Sequence, residues 1–162
     1  MKILGIDPGT IKVGYGVIDV STTKKLQLVA AGTITPCSKD VPYKRLGFIL
    51  QKIEEIIINF KPDVIALEKS FFGKNVKSLI SLGEARGIVL ALAGKYNTEF
   101  AEFSPLSIKQ SVVGSGSADK ERVQKMVKMI LNINSDIKYF DESDALAIAL
   151  CCHYRNKGKT PL

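Results

Sequence analysis

The chain has 162 residues, 46% hydrophobic and 24% charged, the balance of one globular domain long enough to bury a core. Apolar runs such as residues 88–93 fall far short of the roughly 20 residues that cross a bilayer, and Asp7 interrupts the N-terminal apolar run, so neither a membrane span nor an export signal is expected. Lysine and arginine number 23 against 16 acids, a net charge of +7 that attracts polyanions, while three cysteines and a lone His153 make neither a disulfide framework nor a Cys/His zinc cluster and fit a reducing cytoplasm. An isolated histidine near a helix end reads as structural or solvent-facing.

Residues 2–7 form an apolar run ending at Pro8-Gly9, the pattern of a strand followed by a turn. Residues 12–20 and 26–35 follow as β-rich runs with short connections, which predicts an antiparallel meander. Apolar residues from Leu46 to Phe60 recur at helical spacing and predict a helix over 43–60, which Lys61-Pro62 stops. A short buried strand over 63–68 ends in Glu68, and a helix over 76–95 precedes a fifth strand over 98–103. Helices are predicted over 105–112, 119–132 and 141–155, with a Gly/Ser loop before the second. No repeat or linker divides the chain, so residues 1–155 read as one domain and 156–162 as a short basic tail. Three strands followed by alternating helix and strand predict an α/β architecture, a five-stranded mixed sheet flanked by helices, in the order of an RNase H-like fold.

Four carboxylates occupy informative positions. Asp7 ends the first strand and Glu68 the fourth. If those strands are parallel neighbours, spaced ~4.8 Å apart, both acids leave the same sheet edge, where ligand sites gather. Asp141 and Asp144 open the final helix three residues apart, at about 100° per residue, and so share a face that Glu142 does not. Such a cluster repels itself unless cations bind, and oxygen-only ligands select hard ions such as Mg²⁺ or Mn²⁺. Two such ions suit phosphodiester cleavage.

Plainer roles exist for each residue. Asp7 suits a turn, Asp141 a helix N-cap, Asp144 the helix dipole, and Glu68 an ion pair with Lys69 or Lys74. Lys109 and Lys120 suit phosphate contacts or solvated loops, and the glycines at 114 and 116 suit close backbone approach to DNA. Phe71 and Phe72 suit the core or a base-stacking wedge.

Five segments together resemble a known family: Ile3-Leu4-Gly5-Ile6-Asp7-Pro8-Gly9, Glu68-Lys69-Ser70-Phe71-Phe72, Leu82-Gly83-Glu84-Ala85-Arg86-Gly87, Lys109-Gln110-Ser111-Val112-Val113-Gly114 and Asp141-Glu142-Ser143-Asp144-Ala145-Leu146-Ala147-Ile148-Ala149. In order and spacing they are similar to RuvC, the crossover (Holliday) junction endodeoxyribonucleases. The resemblance implies that Asp7, Glu68, Asp141 and Asp144 are catalytic metal ligands. It also implies that Phe71 stacks on bases near the crossover and that Lys109 and Lys120 lie near the scissile phosphate. It further implies a homodimer that nicks two strands of like polarity symmetrically, leaving 5′-phosphate and 3′-hydroxyl ends, with RuvA and RuvB branch-migration proteins as partners. Glu142 is an extra acid where small residues are common in the family. The glycine-rich stretch over 79–92 suits either dimer contacts or the core.

Three other functions remain to be separated from this one. Asp7-Pro8-Gly9-Thr10 also resembles the phosphate loop of actin-like kinases, which need a second large domain. A nuclease of the same fold acting on RNA or a hybrid shares the carboxylates, and a non-catalytic binding protein would lack them.

Overall fold

The β-branched and apolar run of residues 2–7 forms strand β1 (Lys2–Asp7), the centre of a five-stranded sheet. This is a computed structural model, and it describes residues 1–20, 26–69, 76–134 and 137–156. Strands β2 (Val13–Val20) and β3 (Leu26–Ile34) complete an antiparallel meander with β1, with a register shift at Val17/Ile18. Helix α1 (Pro42–Phe60) then crosses to β4 (Val64–Glu68), which pairs parallel with β1. Helix α2 (Val76–Lys95) leads to β5 (Glu99–Phe103), parallel with β4. Helices α3 (Pro105–Val113), α4 (Lys120–Leu131) and α5 (Phe140–Asn156) complete the chain. The sheet order is β3-β2-β1-β4-β5, and each expected element lies within a residue or two of its predicted span.

Alternation along the strands divides the core into two layers. Leu4, Ile6, Ile65 and Leu67 face α1 and α2, while Ile3, Val64 and Ala66 face α3, α4 and α5. Local chemistry sets the helix ends. Pro42 starts α1, and Lys61, at φ 47, closes it with its N–H on the Ile57 carbonyl. Asp119 caps α4 by accepting from the Arg122 N–H at 2.8 Å, and Gly114, at φ 75, ends α3. Arg86 of α2 grips Glu102 of β5 through two hydrogen bonds of 2.6 and 3.0 Å, tying that helix to the edge of the sheet.

Helix α5 departs from an amphipathic pattern. Residues 145–152 are each 0% exposed, because the sheet covers one side and α3 and α4 cover the other. It sits close because Gly5, Gly14 and Gly16 form the floor beneath it. Gly5 pairs with Gly16 across β1 and β2, and Asp7 pairs with Gly14, so all four residues share one face. A Cβ on Gly5 would run into the Ala145 carbonyl and come within 2.8 Å of the Ala149 nitrogen, and one on Gly14 would run into the Asp141 carbonyl. His153 is 4% exposed within this layer, in keeping with a structural role. All three cysteines are free thiols, and no helix of the described residues is long and apolar enough to cross a membrane.

Gly5→Val forces α5 off the sheet, since helix backbone cannot yield as a side chain does. Urea unfolding should record a loss of about 3 kcal/mol, at the upper end of overpacking costs. Gly47→Ala, in α1 with open space around it, should instead gain up to about 1 kcal/mol.

Candidate active site

Period-two alternation brings the first two acids together. Ile3, Gly5 and Asp7 point to one face of β1, and Val64, Ala66 and Glu68 to the same face of β4. The register pairs Ile6 with Leu67, so Asp7 and Glu68 leave the sheet side by side at its carboxyl edge. Helix α5, held down by the glycine floor, places Asp144 over them. Asp7, Glu68 and Asp144 line one cleft of about 270 Å³, walled by Pro105, Ile108 and Lys109 of α3, Lys120 and Val123 of α4, and Ala147 of α5.

Asp141 stands apart. It lies in the first turn of α5, not at its N-cap, and lines the neighbouring groove beside Gly9, Thr10 and Lys12. The Lys12 ammonium is 3.9 Å from its Oδ2 and 4.1 Å from the Tyr139 ring centroid. Asp141 still acts on the cleft electrostatically, adding to the repulsion on Asp7. Glu142 is absent from the cleft lining, as its place on the helix predicts.

Burial and crowding make the cleft acids reluctant to ionise. Desolvation chiefly, then the charges of Asp144 and Glu68, push Asp7 from 3.8 up to about 7, with Lys120 opposing. Burial and Asp144 likewise raise Glu68, against Lys120 and Lys109. The Lys120 ammonium donates to Asp144 Oδ2 at 2.8 Å, and this bond holds its own pKa above the usual lysine range. Asp144 is only 19% exposed in that pair, whereas Lys120 is 65% exposed and so free to swing. Lys109 stands by Glu68 as a second cation. Among the described residues no three metal-ligating side chains are drawn into a finished cage. The donor set itself fits hard dications: every converging acid offers oxygen alone, and the acid most buried is the one most in want of positive charge.

The loop before α4 has structural uses for its glycines. Gly114 is the left-handed cap of α3, and Gly116 packs against Leu106. Phe71, Phe72 and Lys74, as stacking residues or as a partner for Glu68, lie outside the described residues, as does the tail from 157. Sequence reasoning missed the glycine floor and Lys12. The floor had a signal in the Gly-x-Gly of β2, whose two glycines share a face, but Lys12 had none.

Comparison with known proteins adds to this geometry. The family model for crossover junction endodeoxyribonuclease RuvC matches residues 3–153. The chain belongs to the RuvC family. RuvC of Pseudothermotoga lettingae is 45% identical over 157 residues, covering 96% of each chain. RuvC of Chloroherpeton thalassium is 43% identical over 157 residues, covering 96% of this chain and 83% of the relative. The solved structure of T. thermophilus RuvC in complex with Holliday junction substrate superposes with a TM-score of 0.90 at 31% identity, covering 98% of this chain and 96% of that one. The RuvC assignment agrees with the RNase H-like sheet order and with the resemblance read from the five segments.

The raised Asp7 carries a sign. Its folded pKa, about 7, exceeds the unfolded 3.8, so its contribution is full below pH 3.8 and is lost as pH rises through 7. In a chelator, thermal unfolding should therefore show stability falling across that window. Asp7→Asn should flatten the fall and melt higher than the wild type at pH 8. A divalent cation should raise the wild-type melting temperature and leave the variant nearly unmoved.

Proposed function

We propose that the chain resolves Holliday junctions by metal-dependent nicking of two strands of like polarity, leaving 5′-phosphate and 3′-hydroxyl ends, in recombination and repair. The observation that carries this reading is the meeting of Asp7, Glu68 and Asp144 with Lys109 and Lys120 in one cleft of a RuvC-family chain. Asp7, Glu68 and Asp144, with Asp141 at the rim, hold the cofactor, two Mg²⁺ ions for which Mn²⁺ can substitute. When bound, these ions supply an activated water and positive charge for the leaving oxygen.

The chain's own residues do the remainder. Asp7 and Glu68, fixed on adjacent strands, define where the ions would be held, and the sheet gives them little freedom to drift. Lys109 and Lys120 draw the scissile phosphodiester toward a cleft whose acids would otherwise repel it. Lys120 keeps Asp144 from carrying an unbalanced charge, and its exposed stem lets it turn to a phosphate. Apolar Ile108, Val123 and Ala147 limit water in the cleft and strengthen each of these interactions. Phe71 and Phe72 stack on bases at the crossover.

A four-way junction has approximate two-fold symmetry, so two copies of one chain meet two equivalent strands. Helix α2 supports a homodimer: Val76 and Ile80 are exposed on it, and added Cβ atoms at Gly83 and Gly87 meet open space, leaving room for a second helix. The nuclease domain is residues 1–155, with the basic tail beyond. The chain works in the cytoplasm beside RuvA and RuvB.

The test is incubation with Mg²⁺ and, separately, a mobile four-way junction, a linear duplex and an RNA–DNA hybrid. Paired symmetric nicks in the junction alone are expected. Asp7→Asn should abolish cutting, by 10³-fold or more on the scale of lost charge stabilisation, while junction binding persists. Cleavage by that variant at the wild-type rate, or equal cutting of the hybrid, overturns the reading.

A further inference from the structure

Beside the cleft runs a second groove, between the turn at residues 9–12 and the starts of α1 and α2. Its described lining includes three cations, Lys12, Arg45 and Lys77, against one acid, Asp141, with the hydroxyls of Thr10 and Ser78 among them. Arg45 is the unusual member. Its Nε is buried without a hydrogen-bond partner, and among the described residues its guanidinium makes no ion pair, even with Glu84, which lines the adjoining cavity. A buried cationic donor left unsatisfied is costly, and a guanidinium fork matches two phosphate oxygens. Lys12 is already positioned at the groove's mouth by Asp141 and the Tyr139 ring. The groove neighbours the cleft: Asp141 lines the groove, lies one helical turn from Asp144 in the cleft, and acts electrostatically on Asp7 and Lys120 there.

We infer that this groove is a second phosphate-binding site, in which Arg45 takes a backbone phosphate of the strand being cut, a short distance from the scissile bond, with Lys12 and Lys77 flanking it. The inference rests on the reading of the chain as a junction nuclease and adds a residue that positions the strand without touching the reacting atoms. Lys109 and Lys120 gather the scissile phosphate, and this second set holds the same strand a short distance away, which fixes its direction across the acids.

The test uses the full chain and a fluorescent four-way junction in a chelator, so that binding is measured without cutting. Anisotropy titrations over a range of KCl give the salt slope for wild type, Arg45→Ala and Arg45→Lys. Arg45→Ala should bind several-fold more weakly and lower the slope by about 0.9, the loss of one phosphate contact, while Arg45→Lys keeps the slope. A series of junctions, each neutralised at one phosphate by methylphosphonate, then locates the contact. One position near the cut should weaken wild-type binding and leave Arg45→Ala unaffected. Equal losses at every position, with a lowered melting temperature, would mean Arg45 merely supports the fold. An altered sedimentation coefficient with an unaltered slope would place Arg45 between copies of the chain. Either result, or no change at all, overturns the inference. A wild type that binds duplex as tightly as junction but keeps the Arg45-dependent slope instead counts against the junction reading and leaves the groove standing.

Discussion

Helix α5 lies against β1 and β2 with almost no space between, and the positions of the acids follow from that contact. Gly5 and Gly14 present bare backbone where any side chain would strike the Ala145 and Asp141 carbonyls. The helix therefore descends far enough for Asp144 to stand over the ends of β1 and β4. Two strand ends supply two acids at fixed spacing, and the third arrives from above. Without that close approach Asp7 and Glu68 would face solvent, and the burial that drives Asp7 up to about 7 would be gone.

Charge is arranged in two shells around this contact. Acids occupy the desolvated centre, and cations of α3, α4 and the turn after β1 surround it: Lys109, Lys120 and Lys12. The surplus of +7 thus has a local meaning that the total alone lacks, since the basic groups ring the site where a polyanion must be brought to carboxylates. The arrangement works against folding and for function, because buried acids that repel one another weaken the native state until a cation joins them.

The strands and helices were legible in the sequence because their periodicities are strong: alternation in β1 and β4, and the isoleucine stripe of α1 ended by Lys61-Pro62. Placing Asp7 and Glu68 together needed one further assumption, that β1 and β4 are parallel neighbours, and the register satisfies it. Spacing alone was less informative for α5. Asp141 and Asp144 share a face by helical geometry, yet the Asp141 carboxylate lies beside Lys12 in the next groove, a contact with a residue far away in sequence. The all-round burial of α5 was equally hidden, since it depends on how α3 and α4 fold back over it. Arg45 carried no local signal, because a buried Nε without a partner is a property of its surroundings.

The acids and the lysines belong to different kinds of framework. Asp7, Glu68 and Asp144 grow from the sheet and its central helix, whereas Lys109 and Lys120 ride on α3 and α4, an outer pair joined by the loop around Gly114. A longer loop or other surface residues in that outer pair would therefore leave the three acids in register, because the sheet and its central helix alone set their spacing.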